Sequence, residues 1–318
     1  MKKTGFVFSL CLLAYAAQSR SANPGLVSLP AKYMVPKNLE IPQKGVDSFT
    51  IRMSGIGGSV FFLECVNGFG GGNVAASVGE DGILLVDDMF AMMGNKIKTT
   101  LATLSPKPIR MVLNTHFHGD HIQGNKVFGE SAVIVAQENV RKRLQKSITP
   151  KNPSTQMLPV VVFRDSMSLH FNGEEIKLVH FPNSHTDGDA MIYFTGSKVI
   201  HLGDMFFFGM FPAVYTEGGG NIKQLISSLE QILTDVPADV RVIPGHGGVA
   251  TMKDLQDYVT MLKETTGIVE TAIRKGVNLE QMKQEKLLQK YNALGDGGAQ
   301  STDQYLAMLY KLLLPVKK

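Results

Sequence analysis

The stretch THFHGDH, residues 115–121, constrains this chain more than any other part of it. Three of the eight histidines and one aspartate fall within six consecutive residues beginning at His116. The preceding run, IRMVLNT, is apolar enough for a buried strand, so the cluster sits on the loop at that strand's C-terminal end. Sheets with mixed α/β connections bind ligands at such ends. His116 and His118, one residue apart, converge on a single ion if the loop is extended there, whereas Asp120 and His121 point away and hold a second. Imidazole with carboxylate suits zinc, and manganese or iron also fit. Six residues cannot complete two coordination spheres, so distant partners are required. His185 in NSHTDGD, Asp204 at the end of KVIHLGD and His246 in PGHG qualify. Each follows an apolar run and precedes or occupies a glycine-bearing turn.

Short β-type runs lead up to the cluster: DSFTIRM, SVFFLEC, NVAASVG and GILLVDD, then a helix over KIKTTLATL. Between the second and third runs NGFGGG, residues 67–72, forms a hairpin tip. The theme repeats with AVIVA, a helix near 137–146, and strands at MSLHF, IKLVHF, AMIYF and KVIHLGD. His170, His180 and His201 fall inside these strands and are assigned structural roles. From Asn221 the spacing becomes helical, with Ile222, Leu225, Ile226, Leu229, Ile232 and Leu233 on one face. DVRVIPGHG is a last strand and turn, and residues 252–275 and 301–314 read as terminal helices. Two blocks of strands, each followed by helices, predict an α/β (α+β) chain of two packed sheets with helices outside.

The N-terminus reads as an export signal over residues 1–22, in which MKK precedes an apolar run too short to span a bilayer. Cleavage after Ala16, Ser19 or Ala22 is expected, and the location is periplasmic or secreted. Residues 23–46, with Pro24, Pro30, Pro36 and Pro42, form an extended lead-in. Of the net charge of +4, Lys2, Lys3 and Arg20 supply three, so the mature chain keeps +1 and gives little basis for nucleic-acid binding. Only Cys65 outlasts the signal, so no internal disulfide forms, and its place in an apolar strand suggests packing. No other stretch is apolar enough for stable membrane insertion.

THFHGDH, His185, Asp204 and the GHG turn at His246, in this order, resemble the metallo-β-lactamase superfamily of dinuclear zinc hydrolases. The likeness runs from Asp47 to Thr251, making 47–251 the catalytic domain and 252–318 a helical C-terminal extension. It implies a four-layer αβ/βα sandwich of two mixed sheets with the metals at one edge. By the same resemblance His116, His118 and His185 bind one zinc, Asp120, His121 and His246 the other, and Asp204 bridges them. Asp87 in LLVDD matches the family's buried aspartate behind the metal loop. The implied chemistry is hydrolysis of an amide or ester by metal-activated hydroxide, oriented by Asp120, without a protein nucleophile.

The substrate is less determined. The resemblance leads one to expect cysteine or serine at position 204 of a β-lactam-cleaving enzyme, and lysine at 207 in the cysteine-bearing ones; this chain has Asp204 and Phe207. On the other side, export leads to where β-lactams act, and NGFGGG with Phe69 resembles the lactamase flap. Asn221 echoes a substrate-contacting asparagine yet also suits a helix N-cap. Tyr215 is a weaker candidate for an oxyanion contact. The leading expectation is an exported hydrolase, monomeric, with a small-molecule substrate. A true β-lactamase, a non-catalytic zinc-binding protein and an iron-dependent oxidoreductase are the alternatives.

Overall fold

Seven strands pair in the order in which they occur along the chain. β1 (Thr50–Gly57), β2 (Val60–Val66), β3 (Val74–Gly79) and β4 (Gly82–Val86) form an antiparallel meander. β5 (Ile109–Asn114), β6 (Val133–Gln137) and β7 (Val161–Phe163) then add in parallel. The computed structural model describes residues 48–149, 154–296, 298 and 300–315. The expected export signal 1–22 and lead-in 23–46 lie outside them.

A second sheet has the spatial order β13-β12-β11-β10-β9-β8. Its strands are β8 (Ser166–Phe171), β9 (Glu174–His180), β10 (Ala190–Phe194), β11 (Val199–His201), β12 (Arg241–Ile243) and β13 (Ala250–Thr251). Only the β11–β12 pair is parallel. Strand periodicity splits each buried strand between two cores. Leu84, Val86, Leu113 and Val135 of the first sheet meet Ile176, Leu178, Ile192, Phe194 and Ile243 of the second. The alternate positions Met191, Ile200 and Val242 point away, under the helices. The expected sandwich of two mixed sheets with outer helices is the observed architecture. The sequence reading missed β7, because three residues with Val161 and Val162 exposed carry no alternation.

The helices follow their apolar stripes. On the first sheet's outer side are α1 (Gly94–Ala102) and, beyond the metal loop, two short turns, α2 (Gly119–Ile122) and α3 (Asn125–Phe128). α4 (Glu138–Ser147) turns Val140 and Leu144 onto Ala136 and Ile122. On the second sheet α5 (Ile222–Asp235) and α6 (Met252–Arg274) cover Ile200, Leu202 and Val242. α7 (Leu279–Gln284), α8 (Asn292–Gly295) and α9 (Thr302–Leu313) complete this layer, and Tyr305, Leu306 and Leu309 of α9 enter the same core. Capping boxes start α6 (Thr251 with Asp254), α7 (Asn278 with Gln281) and α9 (Ser301 with Gln304). All described residues belong to one compact unit, and none of their helices is long and apolar enough to cross a membrane.

Leu178, 1% exposed, stands between the sheets. Leu178→Ala should remove about 2–5 kcal/mol of stability, read as a lower urea midpoint at unchanged slope.

Candidate metal centre

The loops at the C-terminal ends of β4 and β5 meet around one carboxylate. Asp87 follows β4 with φ +60°, a left-handed conformation that aspartate tolerates better than most residues. Its buried side chain accepts three hydrogen bonds. The Thr115 amide donates to Oδ1 at 2.8 Å, the Thr115 hydroxyl to Oδ2 at 2.7 Å, and His121 Nδ1 also to Oδ2 at 2.7 Å. Because the Thr115 proton is spent on Asp87, its oxygen accepts from His116 Nδ1 at 3.0 Å. One carboxylate thereby fixes the tautomers of two histidines and leaves both Nε2 lone pairs facing inward.

His185 is set in a similar way from the other sheet. Its Nδ1 donates to the Ala213 carbonyl at 2.5 Å, which leaves Nε2 2.9 Å from His118 Nδ1. The Asp189 carboxylate holds the SHTDGD loop by accepting from the His185 and Thr186 amides at 2.6 and 2.7 Å. Arg143 of α4 donates to both Asp187 oxygens at 2.7 Å while its guanidinium lies 4.6 Å from the Phe117 ring centre. That contact ties the His185 loop to the His116–His118 loop.

Asp204 lies between two groups of potential ligands. The first is His116, His118, His185 and Asp204, and the second is Asp120, His121 and His246; within each group the ligand atoms lie within 4.8 Å of one another. Asp204 Oδ2 is 3.4 Å from His185 Nε2 and 3.7 Å from His116 Nε2. Its Oδ1 is 3.1 Å from His121 Nε2 and 3.4 Å from His246 Nε2, and Asp120 Oδ2 is 3.3 Å from His246 Nε2. Asp87, His116 and His121 also lie close together, but the Asp87 oxygens are committed to donors.

The donor set fits divalent cations. His116 Nε2 is buried without a hydrogen-bond partner, and the His185 and His118 nitrogens face each other. Such lone pairs are costly to bury unless a cation joins them. Burial, then His121, holds His116 well below its ordinary range, and burial, then His185, takes His118 down to about 3. Burial also lowers His185, against the pull of Asp204. The second group behaves oppositely. Burial disfavours charge on His246, yet Asp204 and the bond to Asp120 raise it to about 9. Burial is likewise outweighed at His121 by Asp204, Asp120 and Asp87, which favour a proton there. With Nδ1 already donating to Asp87, that proton has only Nε2, where a cation would bind. Burial opposes the charge on Asp204, but His121 and His246 hold its carboxyl well below the usual carboxylate range.

Two glycines make room for these groups. A Cβ on Gly72 would lie 2.1 Å from the His121 ring, and one on Gly245 would lie 2.0 Å from Asp204 Oδ1. The segments are joined by hydrogen bonds from Gly72 N to Asp120 O and from Asn73 N to Gly245 O, at 2.9 and 2.8 Å. Phe69, 48% exposed on the hairpin tip, stacks on His246 at 5.8 Å between ring centres. Phe207 is buried behind the site, stacked on the same imidazole at 5.3 Å and tilted against the His185 ring at 6.1 Å between centres. Asn221 caps α5, with its side-chain oxygen accepting from the Lys223 and Gln224 amides at 2.9 and 3.1 Å. Tyr215 is partly exposed on the loop before α5. Buried His201 donates or accepts only within the fold, through Asn73 O and Gly203 N, and burial pushes the Cys65 thiol up, away from nucleophilic use.

Sequence reasoning missed Thr115, Gly72, Gly245, Arg143, Asp187 and the Ala213 carbonyl. Thr115 alone left a trace, as the hydroxyl-bearing residue immediately before His116. Asp87→Asn should keep the left-handed backbone but set an amide N–H against buried donors. Metal affinity should fall about 10–100-fold with the fold retained, measured by competition with a chromophoric chelator.

Residues 68–246 match the sequence model of the metallo-beta-lactamase superfamily, which is more than half of the chain. A linear primary-alkylsulfatase from Pseudomonas sp. is 23% identical over 235 residues, covering 59% of this chain and 44% of that protein. A hydroxyacylglutathione hydrolase from Prochlorococcus marinus is 28% identical over 142 residues, covering 43% of this chain and 51% of the relative. The chain thus spans about half the length of these curated relatives. Among solved structures, a metallo-beta-lactamase from Pontibacter korlensis superposes with a TM-score of 0.58 at 15% identity, over 67% of this chain and 99% of that one. The DIM-1 metallo-beta-lactamase gives 0.56 at 17% identity, over 68% and 98%. At such identities the likeness is one of fold, while the sequence match carries the family. The chain belongs to the metallo-beta-lactamase superfamily, whose members are metal-dependent hydrolases.

Proposed function

We propose that this protein is an exported hydrolase that holds two zinc ions and cleaves an amide or ester bond of a small molecule. The observation that carries the reading is the convergence of Nε2 atoms on rings held through Nδ1, from His116, His121 and His185, on the two sides of Asp204. His116, His118 and His185 would hold one cation, and Asp120, His121 and His246 the other, with Asp204 shared. Two divalent cations held there would supply electrophilic polarisation of the scissile group and lower the pKa of a bound water towards neutrality. Asp120 would accept a hydrogen bond from the attacking water and orient it. Phe69, exposed at the mouth, would contact the apolar part of the substrate and restrict solvent access.

The substrate follows from what the mouth offers. The named activities of the relatives concern a sulfate ester and a thioester, and both extend the panel worth testing. β-Lactam cleavage is the second reading, favoured by the fold neighbours and by Phe69 on its hairpin tip. Phe207, buried behind His246, offers no cation for a drug carboxylate.

One purified sample decides among these. Metal analysis should return about two zinc ions per chain, with manganese or iron as the competing outcomes. Turnover should be sensitive to chelator and confined to part of a panel of aryl esters, lactones, thioesters, sulfate esters and a chromogenic cephalosporin. His118→Ala should reduce hydrolysis to background and lower the bound metal. Full activity in metal-free His118→Ala would sink the proposal, and chelator-insensitive silence across the panel would favour a zinc-binding protein without turnover. For export, the mass of the protein recovered from the periplasm or medium should correspond to a start after Ala16, Ser19 or Ala22.

A further inference from the structure

The Ala213 carbonyl that fixes His185 belongs to a four-residue segment held by the C-terminal part of the chain. The Phe211 ring stacks on Tyr305 at 4.2 Å between centres and 14° between planes. The Pro212 carbonyl accepts a hydrogen bond from the Gln300 side chain. Ala213 O accepts from His185 Nδ1 at 2.5 Å, and the Val214 amide points at Met308 Sδ, 3.2 Å away. Phe211, Val214, Gln300, Tyr305 and Met308 are all buried. The residues on both sides of Ala213 are therefore clamped by residues 300–308, while the Ala213 carbonyl turns to the site. Tyr305 is braced in turn by α6, through Thr265 Oγ1 at 2.8 Å.

We infer that Gln300 and Met308 are positioning residues for the metal centre: by anchoring Pro212 and Val214 they hold the Ala213 carbonyl against His185 Nδ1. His185 is then kept as the tautomer whose Nε2 lone pair faces His118 and Asp204. The inference rests on the two-metal reading. It gives a role in the centre to residues beyond position 246, where the family match ends. Outer hydrogen bonds of this kind set ligand orientation and basicity, and losing one weakens metal binding about 10–100-fold. Because the hydrogen bond of the Ala213 carbonyl is made to His185 of the first group, the loss should fall on one site. Gln300→Ala removes the donor to Pro212. Met308→Leu keeps the volume but removes the sulfur that faces the Val214 amide.

The test uses full-length protein stripped of metal and titrated with Co2+. Solvent-exchangeable imidazole N–H resonances shifted by the bound ion identify which site fills. For Gln300→Ala and Met308→Leu, affinity at the site showing the His185 Nδ1–H resonance should fall about 10–100-fold. That resonance should also exchange faster with water, while the site of His121 and His246 moves far less. Lys290→Ala, which loses an exposed ion pair to Glu264 elsewhere in the same C-terminal part, should leave both sites as they are. Wild-type affinity and unchanged N–H exchange in both folded variants would overturn the inference alone. So would an equal loss at both sites accompanied by a lower unfolding temperature, which would mark general destabilisation. Wild-type protein that takes up no Co2+ would overturn the two-metal reading, and this inference with it.

Discussion

A fully buried carboxylate is stable only when donors surround it, and Asp87 has three. Those donors come from Thr115, at the end of β5, and from His121, six residues on, so the bonds that stabilise the charge also bend the intervening loop over the sheet edge. The loop then carries His116, His118 and Asp120 to one place without needing a helix or strand of its own. The orientation of the imidazoles follows from the same three bonds. Removing the carboxylate would release loop shape and tautomer state together, which makes Asp87 the constraint on which the first sheet's half of the centre depends.

The second sheet supplies the complementary half by different means. Asp204, just past β11, is flanked by imidazoles, and His185 is held by Asp189 from within its own loop and by Ala213 from outside it. Neither sheet alone supplies either group of potential ligands, and the core between them, with Leu84 and Val86 against Ile192 and Phe194, sets the distance at which the two sets meet. Electrostatics then divides the centre. Neutral histidines dominate one side, while on the other carboxylates draw positive charge onto His121 and His246. The two groups of potential ligands therefore differ in which protonation state their surroundings favour.

Much of this was legible in the chain because ligands had to lie at strand ends. THFHGDH, His185, Asp204 and His246 each follow an apolar run, and the strand periodicity was strong enough to give both sheets except for the short β7 and β13. Asp87 was legible only through resemblance, since a carboxylate in LLVDD looks the same whether it faces solvent or three donors. Gly72, Gly245 and Ala213 were illegible for a common reason. They act through the absence of a side chain or through a carbonyl, and backbone groups leave no mark in the identity of a residue. Phe207 and Asn221 were visible but ambiguous, and burial and cap geometry show where their side chains are used.

Gly72 and Gly245 have a consequence for how such a chain can change over time. Both press bare backbone against His121 and Asp204, so at these two positions no side chain of any size can be tried without displacing one of the two. Variation is thereby pushed outward, to residues such as Phe69 and Tyr215 whose rings are exposed at the surface. A centre walled in this way keeps its reaction fixed while its mouth drifts, and one scaffold can turn to new substrates by altering a hairpin tip and a loop.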